Sequence, residues 1–190
     1  MTLILASESP RRRELLARLG IPFEIRTRPV REYRQGDFPP SELPLRNAEL
    51  KAAGVAAEYP QSVVLGADTV IVFEDRIIGK PADAADAKRT LLELSGRTHS
   101  VVTGLALLRT CDGTRMMWSE STRVTFKAYS EQVVDEYMKL VRVLDKAGSY
   151  ALQEHGDMLV ARVDGDSDNV VGLPLGRLKR ELAALGFAAI

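Results

Sequence analysis

Short apolar runs alternate along the chain with longer segments whose apolar positions recur every three or four residues. A short apolar run is typical of a buried strand, and the longer spacing is typical of an amphipathic helix, so the pattern predicts an α/β protein. Strands are predicted over residues 3–6, 23–27, 63–73, 76–78, 100–109, 116–127 and 158–163. Helices are predicted over residues 10–19, roughly 45–57, 83–94, 130–140 and 175–185.

Local capping signals fix several helix ends. Ser9 is a good N-cap, Pro10 suits the first helical turn, and Gly20 ends the same helix. Asp83 and Ser130 are placed to cap two later helices.

Tight turns join two pairs of the predicted strands. Glu74-Asp75 separates strands 63–73 and 76–78, and Asp112-Gly113 separates the two long strands that follow, which is typical of β-hairpins. Hairpins give antiparallel strand pairs, whereas strands separated by a helix commonly pair in parallel. We therefore predict a mixed sheet with flanking helices, in one domain without internal repeats.

The composition narrows the class of protein. The 190 residues are 45% apolar and 27% charged, with 26 basic and 26 acidic side chains, so the formal net charge is zero. This balance argues against a disordered chain, a disulfide-stabilised mini-protein and a basic nucleic-acid-binding surface. The single cysteine, Cys111, cannot form an internal disulfide, and no apolar run approaches the roughly 18 residues of a membrane span. We expect a cytoplasmic protein that binds neither nucleic acid nor membrane.

The junction between the first strand and the first helix is a candidate anion site. The unpaired N–H groups of a helix N-terminus favour anions, and here they are joined by Ser7, Ser9, Arg11, Arg12 and Arg13. Guanidinium groups match phosphate oxygens, but cations at a helix N-terminus oppose the helix dipole. The three arginines at this helix N-terminus therefore favour phosphate recognition. The alternative is that Ser9 only caps the helix and the arginines are solvated.

A carboxylate interrupts the apolar strand 63–73 at Asp68. Burying a carboxylate is costly, and a carboxylate in this position suits a divalent metal ion or a general base. The alternative is a structural aspartate that caps a loop. Lys80 follows the hairpin, which would return it to the same end of the sheet, although by itself it is an ordinary surface lysine.

Three further polar residues have both a surface and a functional interpretation. Lys51 lies on a predicted helix among apolar and small residues, and by itself it is interpreted as solvated surface. Glu32 lies in an arginine-rich loop, where a surface ion pair is the default interpretation. Gln153 follows a segment of small residues, and its amide could read the imide edge of uracil or thymine; the alternative is a loop glutamine without a ligand.

Other kinds of site lack support. The two histidines, His99 and His155, are too few and too far apart in sequence for a zinc site. The chain contains no Gly-x-Ser-x-Gly, Gly-x-Gly-x-x-Gly or Walker A motif. Basic and hydroxyl side chains suited to polyphosphate remain, with carboxylates suited to a hard cation.

Six short segments, in this order and spacing, resemble the Maf family of nucleoside triphosphate pyrophosphatases, which belongs to the inosine-triphosphatase-like superfamily. They are LASESPRR at 5–12, GADT at 66–69, GKP at 79–81, LSG at 94–96, DKAG at 145–148 and VGLP at 171–174. The resemblance covers essentially the full length. It implies an α/β fold with a mixed twisted sheet, flanking helices and a second lobe rich in β-hairpins, in one domain (1–190) of two lobes around a central cleft.

The resemblance also implies roles for the candidate residues. Asp68 corresponds to the proposed general base or metal ligand, and Glu32 to an acidic residue of the set that binds a divalent cation, Mg²⁺ or Mn²⁺. Lys51 and Lys80 would act beside Asp68 in catalysis and complete a cationic wall. The residues that would bind the substrate are Ser7, Arg11, Arg12, Thr69 and Gln153.

Arg12, Thr69 and Gln153 match the branch of the family that prefers dTTP and UTP, whereas another branch prefers 7-methyl-GTP. The sequence departs from the family pattern at two places. Glu154 stands where the family usually has a glycine, beside Gln153, and Arg31-Glu32 stands where an acidic pair is common.

The resemblance thus implies hydrolysis of dTTP and UTP, with modified pyrimidine nucleotides as further substrates, to the nucleoside monophosphate and pyrophosphate. It also implies a homodimer and the association with septum formation that is common in the family. Two alternatives are a pyrophosphatase for 7-methyl-GTP or a broader range of modified nucleotides, and a nucleotide-binding regulator of cell division.

Overall fold

The computed structural model describes residues 1–187, and in this part of the chain seven strands form one sheet. The strands are β1 (Leu3–Leu5), β2 (Phe23–Ile25), β3 (Val63–Phe73), β4 (Arg76–Ile78), β5 (Thr98–Arg109), β6 (Thr114–Phe126) and β7 (Val160–Asp164). The helices are α1 (Pro10–Ala17), α2 (Leu43–Ala56), α3 (Ala84–Leu94), α4 (Glu131–Leu140), α5 (Ser167–Val171) and α6 (Leu175–Ala184). Short 3₁₀ turns cover Val143–Asp145, Ala147–Ser149 and Gly156–Met158.

The sheet is mixed, as the strand pattern predicts. Its strand order is β2-β1-β3-β5-β6-β7, with β4 paired to β3. β1 runs parallel to both of its neighbours, with Leu3 opposite Phe23 on one side and Val63 on the other. The β3–β4 and β6–β7 pairs are antiparallel. The predicted fold class is confirmed.

Two compact units share the chain. The first unit contains Met1–Thr69, Thr103–Glu120 and the described residues from Gly172 onward; the second contains Val70–Val102 and Ser121–Val171. The arrangement of two lobes around a central cleft stays a prediction.

Helix α2 packs unusually close to the sheet within the first unit. A Cβ atom at Gly66 would overlap the carbonyl oxygen of Ala48, and one at Gly104 would overlap the backbone of Leu45. Ala48 and Ala52 are completely buried against this surface. The absence of a side chain on the two strands therefore sets the distance between α2 and the sheet.

The second unit has an aromatic cluster at its centre. The rings of His99, Phe126 and Tyr150 pack edge to face, with centroids 4.9 to 5.4 Å apart. Helices α3 and α4 pack apolar residues such as Leu91, Leu94 and Val134 into the same core.

The predicted elements are confirmed with small shifts at their ends, with one correction at a cap. Ser9 and Asp83 accept capping hydrogen bonds, but Ser130, although it occupies the N-cap position of α4, makes no side-chain capping bond. Glu74 and Asp75 both adopt positive φ values, 47° and 62°, as a tight hairpin turn requires. The 3₁₀ turns and α5 were not predicted. No helix within residues 1–187 is long and apolar enough to cross a membrane.

Candidate active site

Asp68 and Lys51 form an ion pair where α2 packs on β3. Lys51 Nζ lies 2.7 Å from Asp68 Oδ1, and the two side chains are only 17% and 14% exposed. Interpreting Lys51 as solvated surface is therefore wrong. A cation with so little contact with water needs a partner, and Asp68 supplies it.

The local sequence explains why these two side chains meet. Alternate residues of a strand face the same side, so Asp68 points the same way as Gly66, toward α2. On α2, Lys51 lies one residue before Ala52, which packs against Gly66. The close approach at Gly66 thus brings the same turn of the helix within reach of Asp68.

Glu32 completes the group from an irregular loop. Its Oε2 lies 3.1 Å from Lys51 Nζ, and its side chain is 48% exposed. One ammonium group is therefore shared by two carboxylates, Asp68 and Glu32. The structure joins these three predicted residues in one cluster.

The donor chemistry of this cluster suits a hard divalent cation. Carboxylate oxygens are the ligands that Mg²⁺ prefers, and Mg²⁺ is commonly held by one or two carboxylates together with substrate phosphates. No group of three or more acidic, histidine or cysteine side chains within residues 1–187 is arranged to hold a metal. Asp68 and Glu32 would thus supply part of a coordination shell, and phosphate and water the rest.

Asn47 is part of the cluster and was not predicted. Its side chain is buried, and its Nδ2 donates to Asp68 Oδ2 at 3.3 Å. It also exchanges two hydrogen bonds with the backbone of Tyr33. The only local signal was an asparagine four residues before Lys51, in the interior of a helix, where asparagine is unfavourable.

A second cluster surrounds the guanidinium group of Arg12. Its Nη1 donates to Ser7 Oγ at 3.3 Å, its Nη2 to Thr69 Oγ1 at 3.0 Å, and its Nε to the carbonyl oxygen of Gly172 at 3.0 Å. Burial lowers the pKa of Arg12 from its ordinary value, partly offset by the charge of Asp68, and an arginine keeps its proton all the same. The structure thus holds the planar fork in one orientation.

Thr69 and Ser7 act on Arg12 from two sides. Thr69 Oγ1 also lies 3.0 Å from Thr103 Oγ1, which ties it to β5. Ser7 Oγ accepts from the backbone N–H of Ser9, immediately before α1. Arg11 lies beside Arg12 in the first turn of α1, and its side chain makes no hydrogen bond or ion pair with another described residue.

Lys80 and Gln153 belong to the second unit, where both lie on exposed loops. Lys80 follows β4, and Gln153 lies in the segment between two 3₁₀ turns. Their predicted contacts with phosphate and base stay predictions.

The structure gives Glu154, the departure beside Gln153, a partner of its own. Glu154 Oε1 lies 3.3 Å from Nζ of Lys146, whose side chain is 5% exposed. Lys146 Nζ also contacts Asp145 Oδ1 at 3.0 Å and donates to the carbonyl oxygen of Arg142 at 2.7 Å. Glu154 therefore fastens the loop that carries Gln153 instead of pointing an unpaired charge into it.

Comparisons with known proteins find relatives over nearly the whole chain. A sequence model of the family described as "Maf-like protein" matches residues 2–185. The chain is 48% identical to the "dTTP/UTP pyrophosphatase" of Akkermansia muciniphila, over 98% of this chain and 97% of that one. It is 45% identical to the protein of the same name from Moorella thermoacetica, over 97% and 95% of the two chains.

A solved structure shares the fold at low sequence identity. The Ham1 protein of Staphylococcus aureus superposes with a TM-score of 0.57 at 14% identity, over 97% of this chain and all of the other. At that identity the likeness concerns the fold alone.

Proposed function

Because the chain belongs to the Maf family, we propose that it is a nucleoside triphosphate pyrophosphatase that hydrolyses dTTP and UTP to the nucleoside monophosphate and pyrophosphate. The observation that carries the proposal is the Lys51 ammonium group shared by Asp68 and Glu32. Two carboxylates and a cation in this arrangement are suited to bind a metal–phosphate complex and to accept a proton. The relatives named dTTP/UTP pyrophosphatase supply the substrate class.

The charges of the two side-chain clusters, around Lys51 and around Arg12, fit a phosphate substrate that binds together with a cation. Arg12 and Lys51 are balanced there by Asp68 and Glu32, so these four side chains carry no net charge. A triphosphate carries several negative charges, which would repel an incoming nucleophile. We propose that Asp68 and Glu32 hold Mg²⁺ or Mn²⁺, which when bound offsets charge on the phosphate oxygens.

In the proposed reaction the chain's own residues activate water and hold the phosphates. Asp68 accepts a proton from a water molecule whose oxygen attacks the α-phosphorus. The bond from the α-phosphorus to the bridging oxygen breaks, and pyrophosphate leaves with the electron pair of that bond. Lys51 orients Asp68, and the arginines of α1 stabilise charge on the phosphate oxygens.

The contacts of Thr69 suggest an indirect role in substrate choice. Its hydroxyl is already bonded to Arg12 and Thr103, so we propose that Thr69 affects substrate choice by orienting Arg12. Direct reading of the base stays with Gln153. A homodimer, a location in the cytoplasm and an association with septum formation remain predictions from the resemblance.

A substrate panel tests the proposal. Ribo- and deoxyribonucleoside triphosphates and 7-methyl-GTP are incubated with the protein and Mg²⁺ or Mn²⁺, and phosphate is measured with and without added inorganic pyrophosphatase. We expect phosphate only when the auxiliary enzyme is present, the fastest turnover with dTTP and UTP, and loss of activity with a chelator. Phosphate without the auxiliary enzyme would place the attack at the γ-phosphorus and contradict the mechanism.

The same panel decides between the alternatives. A preference for 7-methyl-GTP would assign the chain to the other branch of the family, and equal turnover of all nucleotides would contradict base selection by Gln153. Asp68→Asn should lower kcat by about 100-fold or more, because the general base is lost. Asp75→Asn, at an exposed hairpin turn, is the matched control and should leave kcat unchanged.

A further inference from the structure

We propose that Asn47 is a positioning residue that fixes the Glu32 loop and Asp68 in one arrangement around Lys51. The inference rests on the proposed function, because it explains how two carboxylates from separate segments reach the same ammonium group. Asn47 lies on α2, Asp68 on β3, and Glu32 in the loop between β2 and α2.

A single buried amide makes all the contacts. The Asn47 side chain is only 3% exposed. Its Oδ1 accepts a hydrogen bond from the Tyr33 N–H at 2.8 Å, and its Nδ2 donates to the Tyr33 carbonyl oxygen at 3.2 Å and to Asp68 Oδ2 at 3.3 Å. An amide offers two N–H donors and one oxygen, so each of its polar groups is used.

The paired bonds to Tyr33 fix the backbone next to Glu32. One amide engages both the N–H and the C=O of the same residue, as a neighbouring strand would. No helix or strand occurs between Ile25 and Leu43 in the described structure, apart from one isolated bridge between Gln35 and Phe38. The direction of Glu32 therefore depends on contacts with side chains. The Asn47 side chain bonds the backbone of Tyr33, the residue directly after Glu32.

The bond to Asp68 works on the other carboxylate. Asp68 Oδ2 accepts from Asn47 while Asp68 Oδ1 faces Lys51. Asp68 and Glu32 repel each other, since both are negatively charged and share one cation. A neutral donor that holds Asp68 and the Glu32 loop together opposes that repulsion without adding charge.

Two substitutions separate hydrogen bonding from packing. Asn47→Leu keeps a similar volume and removes all three bonds. Asn47→Asp keeps the shape and the acceptor for the Tyr33 N–H but removes both donors. If Asn47 served packing alone, Asn47→Leu would keep the wild-type kcat, whereas Asn47→Asp also places a further negative charge beside Asp68. If Asn47 is a positioning residue, either substitution should lower kcat by about 10- to 100-fold, with a smaller change in KM.

A double-mutant cycle gives the decisive readout. Glu32→Gln and Asn47→Leu are measured singly and combined, and we expect the double variant to lose clearly less than the product of the two single losses, because part of the effect of Asn47 passes through Glu32 and the rest through Asp68. Effects that multiply would show that Asn47 does not act through Glu32 and would overturn the inference. Ala53→Leu, at an exposed position of the same helix, is the control and should match the wild type.

Amide hydrogen exchange tests the arrangement without nucleotide. In Asn47→Leu the peptide containing Tyr33 should exchange at least about tenfold faster, with peptides of β1 and β3 unchanged. Unchanged exchange at Tyr33 would overturn the inference even in an active enzyme. If the substrate panel finds no pyrophosphatase activity, the proposed function fails, whereas the exchange result still decides whether Asn47 holds the loop.

Discussion

At the scale of single residues, Arg12 depends on acceptors from three separate parts of the chain. Ser7 precedes α1, Thr69 lies in β3, and the carbonyl oxygen of Gly172 precedes α6. Three of the five N–H groups of the guanidinium are therefore used to hold the side chain. A guanidinium held in this way would meet a phosphate in a fixed orientation, so less conformational freedom would be lost on binding.

Lysine cannot replace Arg12 in this role. Arg12→Lys keeps the charge but loses the planar fork, so Thr69 and the Gly172 carbonyl each lose a donor. We expect the free energy of unfolding to fall by about 1–3 kcal/mol and kcat/KM for dTTP to fall at least about tenfold. Urea unfolding and steady-state kinetics measure the two effects.

Arg13→Lys is the matched control, because Arg13 is exposed in the same helical turn. Its unfolding free energy should stay within about 0.5 kcal/mol of the wild type. If Arg12→Lys behaved like this control, the three bonds to Arg12 would contribute nothing to the site.

At the scale of secondary-structure elements, the contact between α2 and the sheet determines the position of the cluster of Lys51, Asp68 and Glu32. Helix α2 carries both Asn47 and Lys51, and its distance from β3 is set where Gly66 meets Ala48 and Ala52. The atom that a new Cβ would meet is a backbone oxygen, which cannot rotate away as a side chain can. The position of this cluster therefore depends on a glycine that contributes no side chain to it.

Gly66→Ala tests this dependence. The methyl group must displace α2, so we expect a loss of about 3 kcal/mol in the free energy of unfolding. A shift of about 1 Å in Lys51 should also lower kcat about 100-fold in the fraction that remains folded. Denaturant unfolding measures the loss of stability, and steady-state kinetics normalised to the concentration of folded protein measure the loss in kcat.

Gly176→Ala provides the comparison for a glycine without close neighbours. No atom lies within 4 Å of a Cβ built at Gly176, which is exposed in α6. Alanine there should stabilise the protein by roughly 0.5–1 kcal/mol, because alanine favours a helix more than glycine does. Equal stability of the two variants would contradict the close packing at Gly66.

At the scale of the whole molecule, a buried histidine makes folding depend on pH. His99 is 2% exposed in the aromatic cluster, with its Nε2 2.8 Å from Tyr150 Oη. Burial lowers the pKa of His99 to about 4. The unfolded chain has an ordinary histidine pKa of about 6.5, so between these values it binds more protons than the folded chain.

Stability should therefore fall as the pH is lowered from about 6.5 to about 4. The His99 contribution is unchanged above this window, and at pH 5 it should cost about 2 kcal/mol relative to pH 7. Urea unfolding of the wild type and of His99→Phe at both pH values measures the difference. The variant should lose about 2 kcal/mol less than the wild type between pH 7 and pH 5.

His155→Asn is the control, since His155 is exposed in a left-handed turn that asparagine tolerates. It should show the same pH dependence as the wild type. If His99→Phe also followed the wild type, acid destabilisation would come from other groups.

The zero net charge is also a property of the whole molecule. Equal numbers of acidic and basic residues argue against an extended polyanion surface, but they do not exclude a local one. Within the first unit, two basic and two acidic side chains lie in two neighbouring clusters and also cancel. The balance of the whole chain thus recurs in the two clusters that we propose bind a metal–phosphate complex.

The sequence by itself determined the elements and the unusual residues within them. Capping residues, apolar spacing and turn residues act over a few positions, so α1, β3 and the β3–β4 hairpin were predictable. Asp68 was conspicuous because it interrupts an apolar strand, and Arg12 because basic residues at a helix N-terminus are unfavourable without an anion. Mixed pairing of the sheet followed from the same local signals.

Only the tertiary structure decided which residues meet. Lys51 is only 17% exposed and pairs with Asp68, 17 positions away, and with Glu32, and Arg12 bonds to Gly172 across 160 positions. Asn47 was not predicted, because an asparagine inside a helix is only a weak local signal and its role depends on Tyr33 and Asp68 lying on either side of it. Local patterns report the conformational preference of a segment, whereas burial and partnership depend on packing between distant segments.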